Sequence, residues 1–248
     1  MLSIITVCFN SEDTIKNCFA SVENLSSFDI EHIIIDGNSS DGTVDLIKDY
    51  SISKSYKISW ISEADLGIFD AYNKGIKLAN EEYVIFLNSD DEILREDFVS
   101  LFSRIEQNSD IDVWYGSINY VDLKGGVSRL NSKFSLQMML LKGMCFQHPS
   151  IVFKKNLFES INFNPSFKVI GDYDHMLRLM LSKYILFKCH NCTTTRMHAG
   201  GVSDGSYKQR LVEGYKSHRV HFNPIISFLF LLSRMGYMSL SKLKKYIC

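Results

Sequence analysis

The sequence predicts an α/β protein: a mostly parallel central sheet flanked by helices, with a helical extension at the C-terminus. Two observations predict it. Apolar runs of strand length alternate with stretches of helical spacing through the first third of the chain, the rhythm of a parallel sheet wound with right-handed crossovers. The run Tyr83-Val84-Ile85-Phe86-Leu87 then stops abruptly at Asn88-Ser89-Asp90-Asp91-Glu92. Such a run reads as a strand buried on both faces, with its acids at the carboxyl edge where open α/β sheets bind ligands.

Taken in order, Leu2–Phe9 reads as a strand ending at Asn10-Ser11-Glu12-Asp13, and Thr14–Val22 as a helix whose Ile15, Cys18, Phe19 and Val22 share one face. Glu31–Ile35 is a second strand, running into Asp36-Gly37-Asn38-Ser39-Ser40-Asp41-Gly42-Thr43 and the helical Val44–Tyr50. Lys57–Ile61 makes a third strand, Ala71–Ala79 a helix, Tyr83–Leu87 the fourth strand and Ile93–Ile105 a helix. Further on, Asp112–Val121 and Ser150–Phe153 read as strands, Gly125-Gly126 as a turn, and Ser135–Leu141 and Asp172–Met180 as helices. Residues 1–222 are expected to form one domain, and 223–248 an amphipathic helical tail. The tail's apolar stretch from Ile225 to Leu232 continues toward Lys242, Lys244 and Lys245, too interrupted to span a bilayer but suited to lie on one.

Composition narrows the function. With 27 Lys+Arg against 28 Asp+Glu over 248 residues, no global field draws nucleic acid, so recognition is local. Six scattered cysteines, and a start that enters a strand pattern without a basic leader, point to a reducing cytoplasm. Cys189-His190-Asn191-Cys192 has CxxC spacing but no second pair at zinc-finger distance, so idle thiols are expected.

The chemistry-bearing residues cluster at predicted strand ends. Clustered carboxylates at Asn88–Asp91 can hold a hard divalent cation, which in turn can hold phosphate; turn and capping roles are the competing reading. Neither G-x-G-x-x-G nor G-x-x-x-x-G-K-[ST] occurs, so phosphate charge needs another counter-ion, and a metal on Asp90 is the candidate. Asp36 can accept from a base N–H or from ribose hydroxyls. Asp65 and Gly67 suggest a tight turn, and Asp70, Asn73 and Lys74 are neighbours on the following helix, where Lys74 could neutralise phosphate. Asp172 opens a helix, where its ionised form is stabilised, as suits a base that must stay unprotonated until a hydroxyl docks; Arg178 follows on the same helix. His148 and His198 are polar groups set among apolar neighbours, and His198 precedes the Gly200-Gly201 loop.

In order and spacing, SIITVCFN, DGNSSDGT, SEADLGIFDAYNKGI, FLNSDD, FQHPSIVFKKNLF, GDYDHMLRL and HAGGVSD resemble glycosyltransferase family 2, the inverting enzymes of GT-A fold. The resemblance covers about Leu2–Ser203 and is closest in flavour to bacterial transferases that build O-antigen and other surface polysaccharide. It implies a nucleotide-sugar donor, commonly a UDP-hexose, with Thr6, Val7 and Phe9 around the base and Asp36 reading base or ribose. The family's D-x-D metal motif falls on Asn88-Ser89-Asp90, so Asn replaces its first Asp. Asp90 is then the Mg²⁺ or Mn²⁺ ligand, Asn88 a contact to ribose or water, Asp91 a helper behind them and His198 a third metal or pyrophosphate contact. The family's Glu-Asp base pair falls on Gly171-Asp172, which leaves Asp172 as the base. The acceptor implied is a glycan or a polyprenyl-pyrophosphate-linked sugar, met on the cytoplasmic face of the inner membrane.

Two rivals are carried. A nucleotidyltransferase also puts metal-binding acids at strand ends, but it needs a Gly-rich basic loop after the first strand, and Phe9–Asp13 is not one. A non-catalytic nucleotide-sugar-binding module would keep Asp36 without needing both Asp90 and Asp172.

Overall fold

Strand β1 (Leu2–Cys8) is buried along its whole length and lies inside the sheet, with β2 (Ile30–Asp36) parallel on one side and β4 (Tyr83–Phe86) parallel on the other. A computed structural model of the chain describes residues 2–52, 54–200 and 207–247, with side chains as far as 237. β3 (Lys57–Ser62) extends the sheet beyond β2, again parallel. The β1–β2 register runs from Leu2 opposite Ile30 to Cys8 opposite Asp36, so these two strands end side by side.

The intervening helices cover both faces. α1 (Ile15–Glu23) buries Ile15, Cys18, Phe19 and Val22, as the sequence spacing predicts. α2 (Thr43–Ser51) buries Ile47 and Tyr50, and the Tyr50 ring stacks on Phe19 at 3.9 Å. α3 (Ile68–Leu78) packs Phe69, Tyr72 and Ile76 on the opposite face; Gly75 gives it close approach, because a Cβ there would collide with Ile5 of β1.

Beyond β4 the sheet becomes mixed, where the sequence reading expects a mostly parallel one. From β4 the order continues through β8 (Val152–Lys154), β6 (Val113–Val121), β9 (Phe187–His198) and β5 (Glu92–Ile93), giving β3-β2-β1-β4-β8-β6-β9-β5. β8 is antiparallel to both β4 and β6, while β6 and β9 are parallel. β7 (Val127–Asn131) returns antiparallel along β6 through a turn in which Gly125 takes φ 82°. Ile93, expected to open a helix, instead joins Glu92 in the short β5 against β9, and α4 starts later (Arg95–Glu106). α5 (Leu136–Lys142), the short α6 (Leu157–Ser160) and α7 (Gly171–Leu181) enclose a core with Phe86, Phe153, Phe158 and Phe163.

The chain ends in α8 (Tyr207–His221) and α9 (Pro224–Ile247). α9 packs on the body: Ser233 Oγ donates to the Leu141 carbonyl at 3.2 Å, and the Arg234 guanidinium lies 4.3 Å over the ring of Tyr173 in α7. Ile225, Phe228, Leu229 and Leu232, spaced as one helical stripe, face outward and are exposed. Lys242, Lys244 and Lys245, and the Gly201–Ser203 part of the Gly-Gly loop, lie outside the residues whose side chains are described.

Candidate active site

Strands β1 and β4 end beside one another, and the loops that leave them form one wall of a cleft of about 580 Å³. Val7, Phe9, Asn10 and Ser11 come from β1 and Asn88–Asp91 from β4. The other walls are Ile68, Phe69 and Tyr72 of α3, the Met144–Pro149 stretch, and Lys168, Val169 and Asp172 at the start of α7; Met197 and Gly200 complete the rim. Thus the structure brings Val7, Phe9, Asn88, Ser89, Asp90, Asp91, His148 and Asp172 together on one cleft, though Asn88–Asp91 and Asp172 are far apart in sequence.

The β4 loop is built as a rigid turn. The Asp91 N–H donates to the Asn88 carbonyl at 3.0 Å, Ser89 Oγ donates to Ser11 Oγ at 2.9 Å, and the Tyr72 hydroxyl donates to Asn88 Oδ1 at 2.7 Å. Asp90 is partly exposed to the cleft, and burial raises its pKa above the ordinary carboxylate range. Asp91 is 1% exposed and neither of its carboxylate oxygens has a well-formed hydrogen bond; burial together with the charge of Asp90 pushes its pKa well up, against the weaker pull of the Asn88 side chain and of the Asn88 and His198 backbone. A buried carboxylate without a well-formed hydrogen bond beside a second carboxylate is costly unless a cation joins them. The residues present therefore fit a hard divalent ion held by Asp90, with Asp91 behind it and the Asn88 amide oxygen alongside. Among the described residues no three His, Cys, Asp or Glu side chains converge as a metal cage. An ion held by one or two carboxylates and the substrate's own phosphates needs no such cage.

Across the cleft, Asp172 stands in the first turn of α7 and accepts the N–H of Tyr173 through Oδ1 at 2.7 Å. Burial raises its pKa to about 6, against which that N–H works. A carboxylate so poised is ionised at neutral pH, yet basic enough to take a hydroxyl proton. Residue 171, where the resemblance leads one to expect Glu, has no room for a side chain: a Cβ there would lie 2.5 Å from the Phe69 ring. His148 packs against the rings of Tyr72 and Phe86, 5.6 and 5.5 Å away, and burial lowers its pKa to about 4, so it is a neutral wall of the cleft.

Other expected site residues lie elsewhere. Thr6 is fully buried, and its hydroxyl pairs with His32 Nε2 at 2.9 Å in the core, so its side chain does not meet a base. Asp36 is likewise fully buried and committed to its own loop: it accepts Ser39 N–H at 3.0 Å, Ser39 Oγ at 2.5 Å and Ser62 Oγ at 2.6 Å, which leaves it organising the loop rather than reading base or ribose. Lys74 is paired with Asp65 at 2.6 Å and Glu63 at 2.9 Å, outside the cleft, so its charge is already matched. Asp65 nonetheless adjoins Phe9, since a Cβ on Gly37 would lie 3.1 Å from its carboxylate and 3.4 Å from the Phe9 ring. Asn73 exchanges two hydrogen bonds with the backbone of Phe163 and fixes that segment. Arg178 pairs with Asp174 at 2.8 Å and caps the Asn162 carbonyl, away from the cleft. His198 Nε2 and Glu92 Oε1 lie 3.1 Å apart beside the cleft rim, within electrostatic reach of Asp90.

Sequence reasoning missed Lys168, Tyr72, Phe69 and Gln147 as cleft residues. Lys168 precedes Asp172 by four positions, and asking which cation flanks the base would have found it. Its Nζ donates to the Leu66 carbonyl at the cleft mouth.

The family profile described as Glycosyl transferase family 2 matches residues 3–185. A "PGL/p-HBAD biosynthesis glycosyltransferase" of Mycobacterium bovis is 26% identical over 208 residues, covering 82% of this chain and 79% of that protein. A poly-beta-1,6-N-acetyl-D-glucosamine synthase of Staphylococcus epidermidis is 31% identical over 146 residues, which span 53% of this chain but only 35% of the synthase. Among solved structures, S. aureus TarS 1-349 in complex with UDP-GlcNAc superposes with a TM-score of 0.66 at 18% identity, over 95% of this chain and 72% of that one. The mannosyltransferase PcManGT of Pyrobaculum calidifontis, in complex with GDP-Man and Mn²⁺, gives 0.61 at 12% identity, over 98% and 75%.

Proposed function

The chain belongs to glycosyl transferase family 2, and from that premise we propose that it transfers a hexose from a UDP-linked donor, with inversion, to a hydroxyl of a glycan or a polyprenyl-pyrophosphate-linked sugar. The observation that carries this reading is the one cleft of about 580 Å³ shared by the β4 acids and Asp172, within the usual size range of small-molecule sites.

In this reading the Phe9 ring, 63% exposed at the cleft edge, offers a face for the base, with Asp65 and Gly37 beside it. Asp90 would hold Mg²⁺ or Mn²⁺. The ion, when bound, offsets the charge of the leaving diphosphate. Lys168 adds a positive charge at the same mouth. Asp172 takes the proton of the acceptor hydroxyl as that oxygen bonds to the anomeric carbon; the bond from that carbon to the phosphate oxygen breaks, and the nucleoside diphosphate leaves with the electron pair. A positioned general base of this kind contributes roughly 10²–10⁴-fold. Neutral His148 and the rings around it keep the acceptor side of the cleft apolar.

The context we infer is bacterial O-antigen or related surface polysaccharide, assembled on the cytoplasmic face of the inner membrane. No helix among the described residues is long and apolar enough to cross a membrane. The exposed stripe of α9 instead suits a helix lying on the lipid surface.

The test is a panel of nucleotide sugars with Mn²⁺ and a lipid-pyrophosphate sugar acceptor, read as nucleoside diphosphate released with acceptor extension. Pyrophosphate release from a nucleoside triphosphate would move the protein to the nucleotidyltransferases. Binding of a nucleotide sugar with no turnover on any acceptor would make it a binding module.

A further inference from the structure

The residues around Asp172 are held from outside by one face of α8. Glu213 accepts three consecutive backbone N–H groups, those of Lys168 at 3.0 Å, Val169 at 3.0 Å and Ile170 at 3.2 Å, and Gln209 Nε2 donates to the same carboxylate at 2.9 Å. One turn on, Ser217 Oγ donates to Asp174 Oδ1 at 2.7 Å, and His218 Nε2 shares a hydrogen with the Tyr173 hydroxyl at 2.6 Å. The positions 209, 213 and 217 are successive i, i+4 neighbours, so a single helix face makes these contacts. Between the gripped residues lies Asp172, whose Oδ1 takes the N–H of Tyr173.

Glu213 is 6% exposed, and its hydrogen bonds come from N–H groups alone. Burial would raise its pKa, but the hydrogen bonds from Gln209 and the three backbone N–H groups outweigh that and keep it ionised. An apolar side chain would attach α8 to the body at less cost. What a carboxylate adds is direction, since it fixes three peptide planes at the entry to α7. α8 also lies beyond residue 185, where the family match ends.

We propose that Glu213 is a positioning residue for the transfer reaction, acting through the backbone of residues 168–170 to aim Asp172 and Lys168 into the cleft, with Ser217 and His218 bracing the other side. The inference rests on the reading of Asp172 as the base. Tyr72 of α3 is a titratable side chain whose hydroxyl feels the Asp172 charge, and burial keeps it protonated at neutral pH.

The test uses the full chain with Glu213→Gln, which keeps one oxygen and the shape, Glu213→Ala and Ser217→Ala. Two readouts are taken: kcat against acceptor KM across pH, and the titration of the Asp172 carboxyl carbon by ¹³C NMR, assigned by its loss in Asp172→Asn. The expected result is a kcat fall of about tenfold for Gln and about a hundredfold for Ala with acceptor KM unchanged. The Asp172 titration should also move down by about half a unit or more, toward the ordinary carboxylate range, as the carboxylate gains solvent. Ser217→Ala should move both in the same direction by less. A kcat loss that tracks only the loss of folded protein, with the Asp172 titration unmoved, would overturn the proposal, as would parental kcat in folded Glu213→Ala. Undiminished turnover in Asp172→Asn would instead remove the base on which it rests. An inactive Asp172→Asn beside parental Glu213 variants removes Glu213 alone.

Discussion

The ring of Phe69 occupies the space that a side chain on residue 171 would need, with its Cδ2 2.5 Å from where a Cβ would stand. The residue before Asp172 is thus glycine by steric necessity, and the carboxylate that touches this entry to α7 comes instead from α8.

Gly171→Ala should destabilise the fold. Real Cβ atoms do not approach a ring at that distance, so either Phe69 leaves its rotamer or α7 shifts, at about 1–3 kcal/mol. In a chain of this size each kcal/mol lowers Tm by roughly 2–4 °C. A thermal melt checks it, and a Tm equal to that of the parent would mean the cleft wall yields freely.

Replacing Asp172 should separate activity from stability. Its folded pKa of about 6 lies above the ordinary aspartate value of 3.8, so the folded state binds this proton more tightly than the unfolded chain. Ionising it costs folding free energy that is absent below about pH 4 and fully present above about pH 6. Asp172→Asn should therefore gain roughly 1–3 kcal/mol at pH 7.5, a gain that shrinks as pH falls through 6 toward 4. Transfer should fall by roughly 10²–10⁴-fold in the same variant. Denaturant unfolding at both pH values reads the first part, and a gain independent of pH would contradict the buried charge.

The acids after β4 should respond to divalent ions together. Mn²⁺ with UDP should raise the Tm of the parent by mass action on the folded state. Asp90→Ala should lose both that shift and the activity. An Asp90→Ala protein that remains active and indifferent to EDTA would place the ion elsewhere.

Phe228 and Leu229 are 51% and 57% exposed on the outer stripe of α9. Changing both to Ser should leave Tm within about 1 °C, because little packing is lost. Sedimentation with vesicles containing anionic lipid should drop several-fold if this stripe meets the bilayer. Unchanged sedimentation would leave the stripe without that role.

The strands that were legible are those buried on both faces, such as Ile30–Asp36 and Tyr83–Phe86, because a continuous apolar run has few other uses. β9 was not legible: it buries Thr193, Thr194 and Thr195, and their hydroxyls need partners such as the Pro149 carbonyl that only the folded chain supplies. The same limit applies to the site. The sequence puts Asp36 and Asp90 at strand ends, and both are there. Whether a carboxylate is free for a ligand depends on distant donors, and Ser62, 26 residues on, consumes part of Asp36, while Asp91 is left without a well-formed hydrogen bond. Lys168 is marked only by its place four positions before Asp172, and Glu213 carries no local signature, since its role comes from the packing of α8 against the entry to α7.

The central claim, transfer with inversion driven by Asp172, is tested most directly by the anomeric configuration of the product. Proton NMR of the parent reaction with an α-linked UDP-hexose should show only β-linked product, and the signal should be absent with Asp172→Asn. An α-linked product, or full turnover by Asp172→Asn, would contradict the account.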